Sequence, residues 1–407
     1  MPRIDGARLL ADLERIADFG RYKTGVHRPT FSEQDVQSRH WLAERMADAG
    51  LDPVIDGIGN VLGRAKGDGK RLLMGSHTDT QPRGGWLDGV MGVIYGIEVA
   101  RAFRDDPATR HLPVEVASWA DEESHYVSFL GSKSFVGELS EADIDAAKNR
   151  DDGTPLREAL TRAGFAGRQR LAVDPGRYRG YLEAHIEQGG YLETEKRRIG
   201  VVTSIVGIFG YRLVFSGVQN HAGTTPMPIR KDAGVALVGF CNALYARFQA
   251  LTGPRSVWTV GRILLEPGAP AIIPGRAEML LQFRDEDLAV MQRFEDALMA
   301  LAEEANAKGP CPVAVEALSR VPPTKMESAF QEALAAAAEQ AVPGGWMRMP
   351  SAAGHDAQIL AHRLPAGMMF VPSIGGVSHH YSEDTEKADI VLGCQVFADA
   401  AARILAG

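Results

Sequence analysis

The segment GSHTDTQPRGGWLDGV, Gly75 to Val90, decides how the chain is read. It sets an imidazole, His77, and two carboxylates, Asp79 and Asp88, among glycines and turn residues, directly after the apolar run Leu72-Leu73-Met74. An apolar run ending in a polar, glycine-rich loop delivers side chains to the C-terminal edge of an α/β sheet, where such folds build their sites. Imidazole with carboxylate is also the ligand set of zinc and its neighbours. Alone, the segment reads equally well as a turn with a helix-capping Asp. The rest of the chain tips the balance toward the first reading.

Upstream, Ser32-Glu33-Gln34-Asp35 resembles a capping box, Val36, Trp41, Leu42 and Met46 recur at helical spacing, and Gly50 closes that helix. Asp56 to Asn60 is a turn between two short strand-like runs. Downstream, Val93 to Phe103 is helix-permissive, and Val114 to Trp119 reads as a buried strand ending in Ala120-Asp121-Glu122-Glu123. Strands alternating with helices predict a helix-covered, largely parallel, mixed sheet. Near Gly207 the pattern changes: Tyr211–Phe215 alternates, helices are expected over 232–251 and 287–307, and strands over 257–265 and 278–283. Past Ser319 the helix–strand pattern resumes, with the strand Met368–Val371 running into a His-rich loop. The expected fold is therefore an α/β catalytic domain over 1–207 and 320–407, interrupted by an inserted α+β domain over 208–319.

The chain has 407 residues, 45% hydrophobic and 24% charged, with a net charge of −8. That balance suits a globular protein and argues against nucleic acid or an anionic membrane as partner. The first twenty residues read as an amphipathic helix without an apolar signal core, and no apolar run reaches the roughly 18 residues of a membrane span. Cys241, Cys311 and Cys394 are odd in number and sit in apolar surroundings, as expected of structural thiols in a cytoplasmic enzyme.

Four loops, each close after a strand or at a turn, carry candidate ligands: His77/Asp79/Asp88, Glu122/Glu123, His185 in EAHIEQGG, and His379 in SIGGVSHHYSE. A lone loop histidine is usually a polar surface residue, but four segments combining imidazoles with carboxylates are not explained that way. Two divalent ions need about three protein ligands each, and one carboxylate can serve both. His77, Asp88, Glu123, His185 and His379 meet that need with Asp88 shared. Glu122 is left over, and water activated at such a site needs a base.

These residues resemble those of the M20-type binuclear metal amidohydrolases, in particular the carbamoylase branch of N-carbamoyl-L-amino acid hydrolase, allantoate amidohydrolase and β-ureidopropionase. The matching phrases are GSHTDT–GGWLDGVMGV, DEES, HIEQG, HAGTTPM–R–DA, TVGRI–PG–IIPG and SAAGHDA–VPSIGGVSH, in order along nearly the whole chain. The resemblance implies two divalent ions (Zn, or Mn, Co or Ni), one held by His77, Asp88 and His185 and the other by Asp88, Glu123 and His379. It makes Glu122 the general base and Asp79 the carboxylate that orients His77. It implies a lid and dimerisation role for the inserted domain, with His221 reaching the partner subunit's site of a homodimer to polarise the scissile carbonyl. Gln188, Arg284, Gly354 and His355 would bind substrate, with Asp356 in the same turn, and His125 and His380 would lie beside the ligands. The implied reaction is hydrolysis of a linear C–N amide bond of an N-carbamoyl (ureido) amino acid or related ureido acid. Water acidified between the ions would attack as Glu122 takes its proton.

The chain departs from the branch in places. Ala271 stands in GAPAIIPG where Asn is usual, Gln282 replaces an acidic residue two before Arg284, and His380 replaces the Asn after the ligand histidine. Trp86 occupies a loop position usually smaller or basic, where it would give the pocket an aromatic wall. The expected substrate is therefore a ureido or amide compound other than the branch's standard α-amino acid derivatives. The alternatives are an N-acyl amino acid or dipeptide hydrolase, and a catalytically silent metal-binding protein. HIEQG disfavours the first alternative and the spare carboxylate of Glu122 disfavours the second.

Overall fold

The computed structural model describes residues 2–67 and 69–406. The chain divides into two compact units, one of the residues up to Thr203 and from Lys325 on, the other Ser204–Thr324.

The first unit is built on a nine-stranded mixed sheet. Its centre is parallel: Arg71–His77 lies between Val114–Trp119 and Tyr178–Ile186, and Ala366–Val371 runs parallel to the far side of Tyr178–Ile186. Every residue of Arg71–His77, Val114–Trp119 and Ala366–Val371 is buried, as parallel strands covered by helices must be. At the edges the pairing turns antiparallel, so the sheet is mixed as expected. Asp52–Ile55 and Val61–Arg64 pair antiparallel, as do Ile199–Ile205 and Ala366–Val371. Only Asp56–Asn60 joins the first of these pairs, too short for a parallel crossover, and the Asp56 carboxylate closes the turn by accepting from the main-chain N–H of Ile58 and Asn60.

Helices Gly6–Ala17, Val90–Asp105, Ser328–Ala341 and Lys387–Ala406 contribute to the core of this unit, including Leu13, Ile94, Ile97, Leu334, Val396 and Phe397. Each such side chain, fully buried, contributes about 1.5–3 kcal/mol. The N-terminal helix is shorter than its amphipathic stretch because the Asp5 side chain caps it and Gly20, at φ 95°, turns the chain away. Helix Glu33–Asp48 starts where the Ser32 cap accepts from Asp35 N–H, and Gly50 at φ 89° follows its end.

The second unit is a four-stranded antiparallel sheet in the order Val257–Glu266, Arg276–Asp285, Gly207–Ser216, Val313–Val321. Helices Ala233–Gln249 and Leu288–Lys308 pack with it around Tyr211, Phe215, Phe240, Phe248, Phe283 and Phe294. No described helix is long and apolar enough to cross a membrane.

Candidate metal centre

The parallel strands of the first unit carry the candidate ligands to one edge. His77 is the last residue of Arg71–His77, Glu122 and Glu123 follow Val114–Trp119, and the loop after Ala366–Val371 holds His379. His185, expected in a loop, lies instead within strand Tyr178–Ile186. The polar residues Glu183 and His185 mask the strand's apolar pattern, and both are buried. Glu183 accepts from the Ser76 hydroxyl and the Ala357 N–H, which fixes this strand against its neighbour.

Asp88 lies at the centre. Its Oδ1 is 3.1 Å from His185 Nε2 and 3.5 Å from His77 Nε2. Its Oδ2 is 3.4 Å from His379 Nε2. Two groups of donors therefore share Asp88: His77, Asp88 and His185 form one, and Asp88, Glu123 and His379 the other, with the donor atoms of each group within 4.8 Å of one another. Mixed N and O donors with one carboxylate turned to both sides fit two divalent ions.

The candidate ligand imidazoles are held from behind. His77 Nδ1 lies 3.1 Å from the Asp79 main-chain oxygen and His185 Nδ1 lies 2.9 Å from that of Ile186. A Nδ1–H donated to a carbonyl leaves the lone pair on Nε2, the nitrogen facing Asp88. The orienting contact on His77 is thus made by the backbone of Asp79, whose carboxylate is 3.7 Å away. That carboxylate instead accepts from the Glu123 N–H and the Thr30 hydroxyl. Gln81 donates to both oxygens of Glu123.

Asp79, Asp121 and His125 form a further group with donor atoms close enough for an ion. Here the Thr30 hydroxyl lies 3.0 Å from Asp79, 2.9 Å from Asp121 and 3.2 Å from His125 Nδ1. The Thr30 hydroxyl thus sits among all three, and His125 lies behind the candidate ligands.

Glu122 Oε2 lies 3.6 Å from His77 Nε2, and its side chain keeps 11% of its exposure. Burial pushes its carboxyl well above the ordinary range, against the pull of His77. For Asp88 burial acts in the same upward direction but is outweighed by His185, His379 and His77, which hold its carboxyl well below that range. His379 is raised to about 9, first by its hydrogen bond to Asp88.

Gln188, at φ 58°, donates from Nε2 to Asp88 Oδ2 at 2.9 Å and to Ser378 at 3.2 Å, so its side chain lies against the candidate ligand Asp88. His355 is buried, with its ring edge-on to that of His185 at 4.7 Å and Nε2 against Ser351. Gly354 precedes it with Phe129 close beside its Cα. Asp356 is buried at the start of the short helix Asp356–Leu360. Trp86 packs against the main core and lines a cavity with Arg21, Lys23 and Asp384, among whose lining residues no candidate ligand occurs. His380 is exposed, its Nδ1 at 2.7 Å from Ser382.

In the second unit, His221 sits in the short pair Asn220–His221/Ile272–Ile273, and Ala271 O accepts from Ala222 N–H. Its Nδ1 accepts from the main-chain N–H of Gly223 and Thr224. Neutral imidazole so fixed carries its proton on Nε2. Arg284 Nε donates to Gln282 at 3.0 Å, a contact that brings no charge to the guanidinium.

Ser378 and Glu383 hydrogen-bond to the candidate ligand Asp88 and were missed by the sequence reading. The signal was a carboxylate four residues beyond His379, within a phrase noted only for its histidines.

A family model described as Peptidase family M20/M25/M40 matches residues 73–403. The chain is 33% identical over 403 residues to the N-carbamoyl-L-amino acid amidohydrolase of Geobacillus stearothermophilus, covering 97% of each. It is 32% identical over 400 residues to the allantoate amidohydrolase of Bacillus subtilis, covering 95% of each. A solved amidase of the hydantoinase/carbamoylase family from Burkholderia phymatum superposes with a TM-score of 0.94 at 50% identity, covering 100% of this chain and 99% of that one.

Proposed function

The chain belongs to peptidase family M20/M25/M40, and from that we propose that it is a two-metal amidohydrolase of ureido compounds. The observation that carries this reading is Asp88, whose two oxygens face separate donor groups that share no other residue. His77, Asp88 and His185 would hold one ion; Asp88, Glu123 and His379 would hold the other. Bound divalent ions supply Lewis acidity toward a carbonyl oxygen and lower the pKa of water toward about 7.

Glu122 lies at the ligands without belonging to either group. It takes a proton from the attacking water and returns it to the leaving nitrogen as the C–N bond breaks. A ureido substrate, R–NH–CO–NH₂, then yields the free amine and carbamic acid, which decomposes to ammonia and carbon dioxide. His221, its Nε2–H directed outward by the two N–H groups on Nδ1, donates to the carbonyl oxygen as charge builds there. It does so at the partner subunit's site, with Ser204–Thr324 serving as lid and dimerisation module.

Arg284 pairs the substrate carboxylate through its planar fork. With Ala271 and Gln282 in place of the branch's usual Asn and acid, the carboxylate pocket differs while the candidate ligands are those of the family. The substrate is accordingly a ureido acid other than a standard N-carbamoyl α-amino acid.

The test is ammonia release from N-carbamoyl amino acids, allantoate, ureidopropionate and N-acyl amino acids, with Zn, Mn, Co or Ni added. Turnover confined to ureido compounds supports the reading, and preference for N-acyl amino acids overturns it. An undiminished standard carbamoylase profile removes the altered pocket alone.

A further inference from the structure

We infer that Glu383 is a positioning residue that clamps the loop bearing His379 onto the loop bearing Asp88, and so completes the second ion's ligand set. The inference rests on the two-metal reading and adds to it a residue outside both donor groups.

Glu383 is 1% exposed, and its carboxylate binds both loops. Oε1 accepts from the main-chain N–H of Leu87 at 3.2 Å and of Asp88 at 3.1 Å. Oε2 accepts from the Ser378 hydroxyl at 3.1 Å, and the same hydroxyl lies 3.1 Å from Asp88 Oδ2. The main-chain N–H of Glu383 returns to the His380 oxygen, closing the turn His380–Glu383 directly after His379. His379 itself is held at φ 55°, which a non-glycine residue adopts only when its surroundings impose it.

The facing loop is shaped to admit this carboxylate. A Cβ on Gly85 would overlap the Glu383 carboxylate, and a Cβ on Gly25 would run into the main chain of Gly84 and Tyr381. The Thr24 hydroxyl also donates to the Tyr381 carbonyl, so a third segment braces the same turn.

The two donor groups depend on this clamp unequally. His77 and His185 stand on central strands and are oriented by carbonyls of their own segments. His379 stands on a loop, half exposed, and hydrogen bonds through Ser378 and Glu383 tie that loop to Asp88. Loss of the carboxylate should therefore weaken the ion at Asp88, Glu123 and His379 and spare the other.

The test is calorimetric titration of the metal-free full chain with Zn²⁺ or Mn²⁺, with metal counted by mass spectrometry after dialysis and folding checked by circular dichroism. Wild type must bind two ions; if it does not, the two-metal reading falls and this inference with it. Given two ions in wild type, Glu383→Ala should keep one binding step and weaken the other about 10–100-fold. Glu383→Gln, whose amide oxygen still accepts both N–H groups, should recover most of that loss. Both steps at wild-type affinity in Glu383→Ala would overturn the inference, as would Glu383→Gln binding as weakly as Glu383→Ala. If Glu383→Ala does not fold, Ser378→Ala decides: selective weakening of one step supports the clamp, and unchanged binding overturns it.

Discussion

The imidazole of His77 occupies the space that a Cβ on Gly89 would fill, with ring atoms 2.4–2.5 Å from that position. Gly89 also stands at φ 67° and opens helix Val90–Asp105, so the turn that presents Asp88 and the ring of the neighbouring ligand share one space. Gly89→Ala should move His77 off Asp88 and weaken metal binding about 10–100-fold. The helix behind it stays packed, so circular dichroism should be unchanged. Metal titration of the variant checks this, and wild-type affinity would show that His77 is not needed in its present position.

Glu122→Gln removes the proposed base and keeps the shape. The turnover number should fall by about 10²–10⁴-fold while the chain still carries wild-type metal. Steady-state kinetics with metal analysis of the same sample separates the two effects.

His221→Ala should lower turnover by about 10²–10³-fold, the loss of one oxyanion donor. On the proposal that His221 acts on the partner subunit's site, a mixture of His221→Ala and Glu122→Gln chains should regain part of the activity that neither has alone. Failure of the mixture to gain activity would place His221 in its own subunit's site or outside the reaction.

Much of this was legible in the sequence, and what was missed has physical causes. The strands at 114–119 and 257–266 and the helix at 288–308 follow from apolar periodicity and stop signals that tertiary contacts do not override. Strand Tyr178–Ile186 was obscured because two of its buried positions carry Glu183 and His185, and burial of such groups depends on partners from distant segments. The ligand candidates could be named because their residue types are rare together, but the sharing of work among them could not. The backbone oxygen of Asp79 meets His77 while its carboxylate accepts from the Glu123 N–H, and Gln188 donates to Asp88. Trp86 turns to a separate cavity because its ring packs on the core, a matter of loop geometry with no periodic signature.

The buried pair Asp35–Arg39 tests the stability of the frame. Both side chains are 0% exposed and joined at 2.8 Å, and Arg39 also donates to the Gly59 carbonyl. Asp35→Ala leaves a buried guanidinium without its counter-charge and should cost about 3–5 kcal/mol. Glu14→Ala, at the exposed pair with Lys387, should cost less than about 1 kcal/mol. Urea unfolding of the two variants against wild type measures the contrast.

The shared carboxylate is tested most directly by counting metal in wild type and Asp88→Ala after exhaustive dialysis. Two ions per wild-type chain and loss of both from Asp88→Ala are the predicted results. A single ion in wild type, or two retained in Asp88→Ala, would contradict a centre built around Asp88.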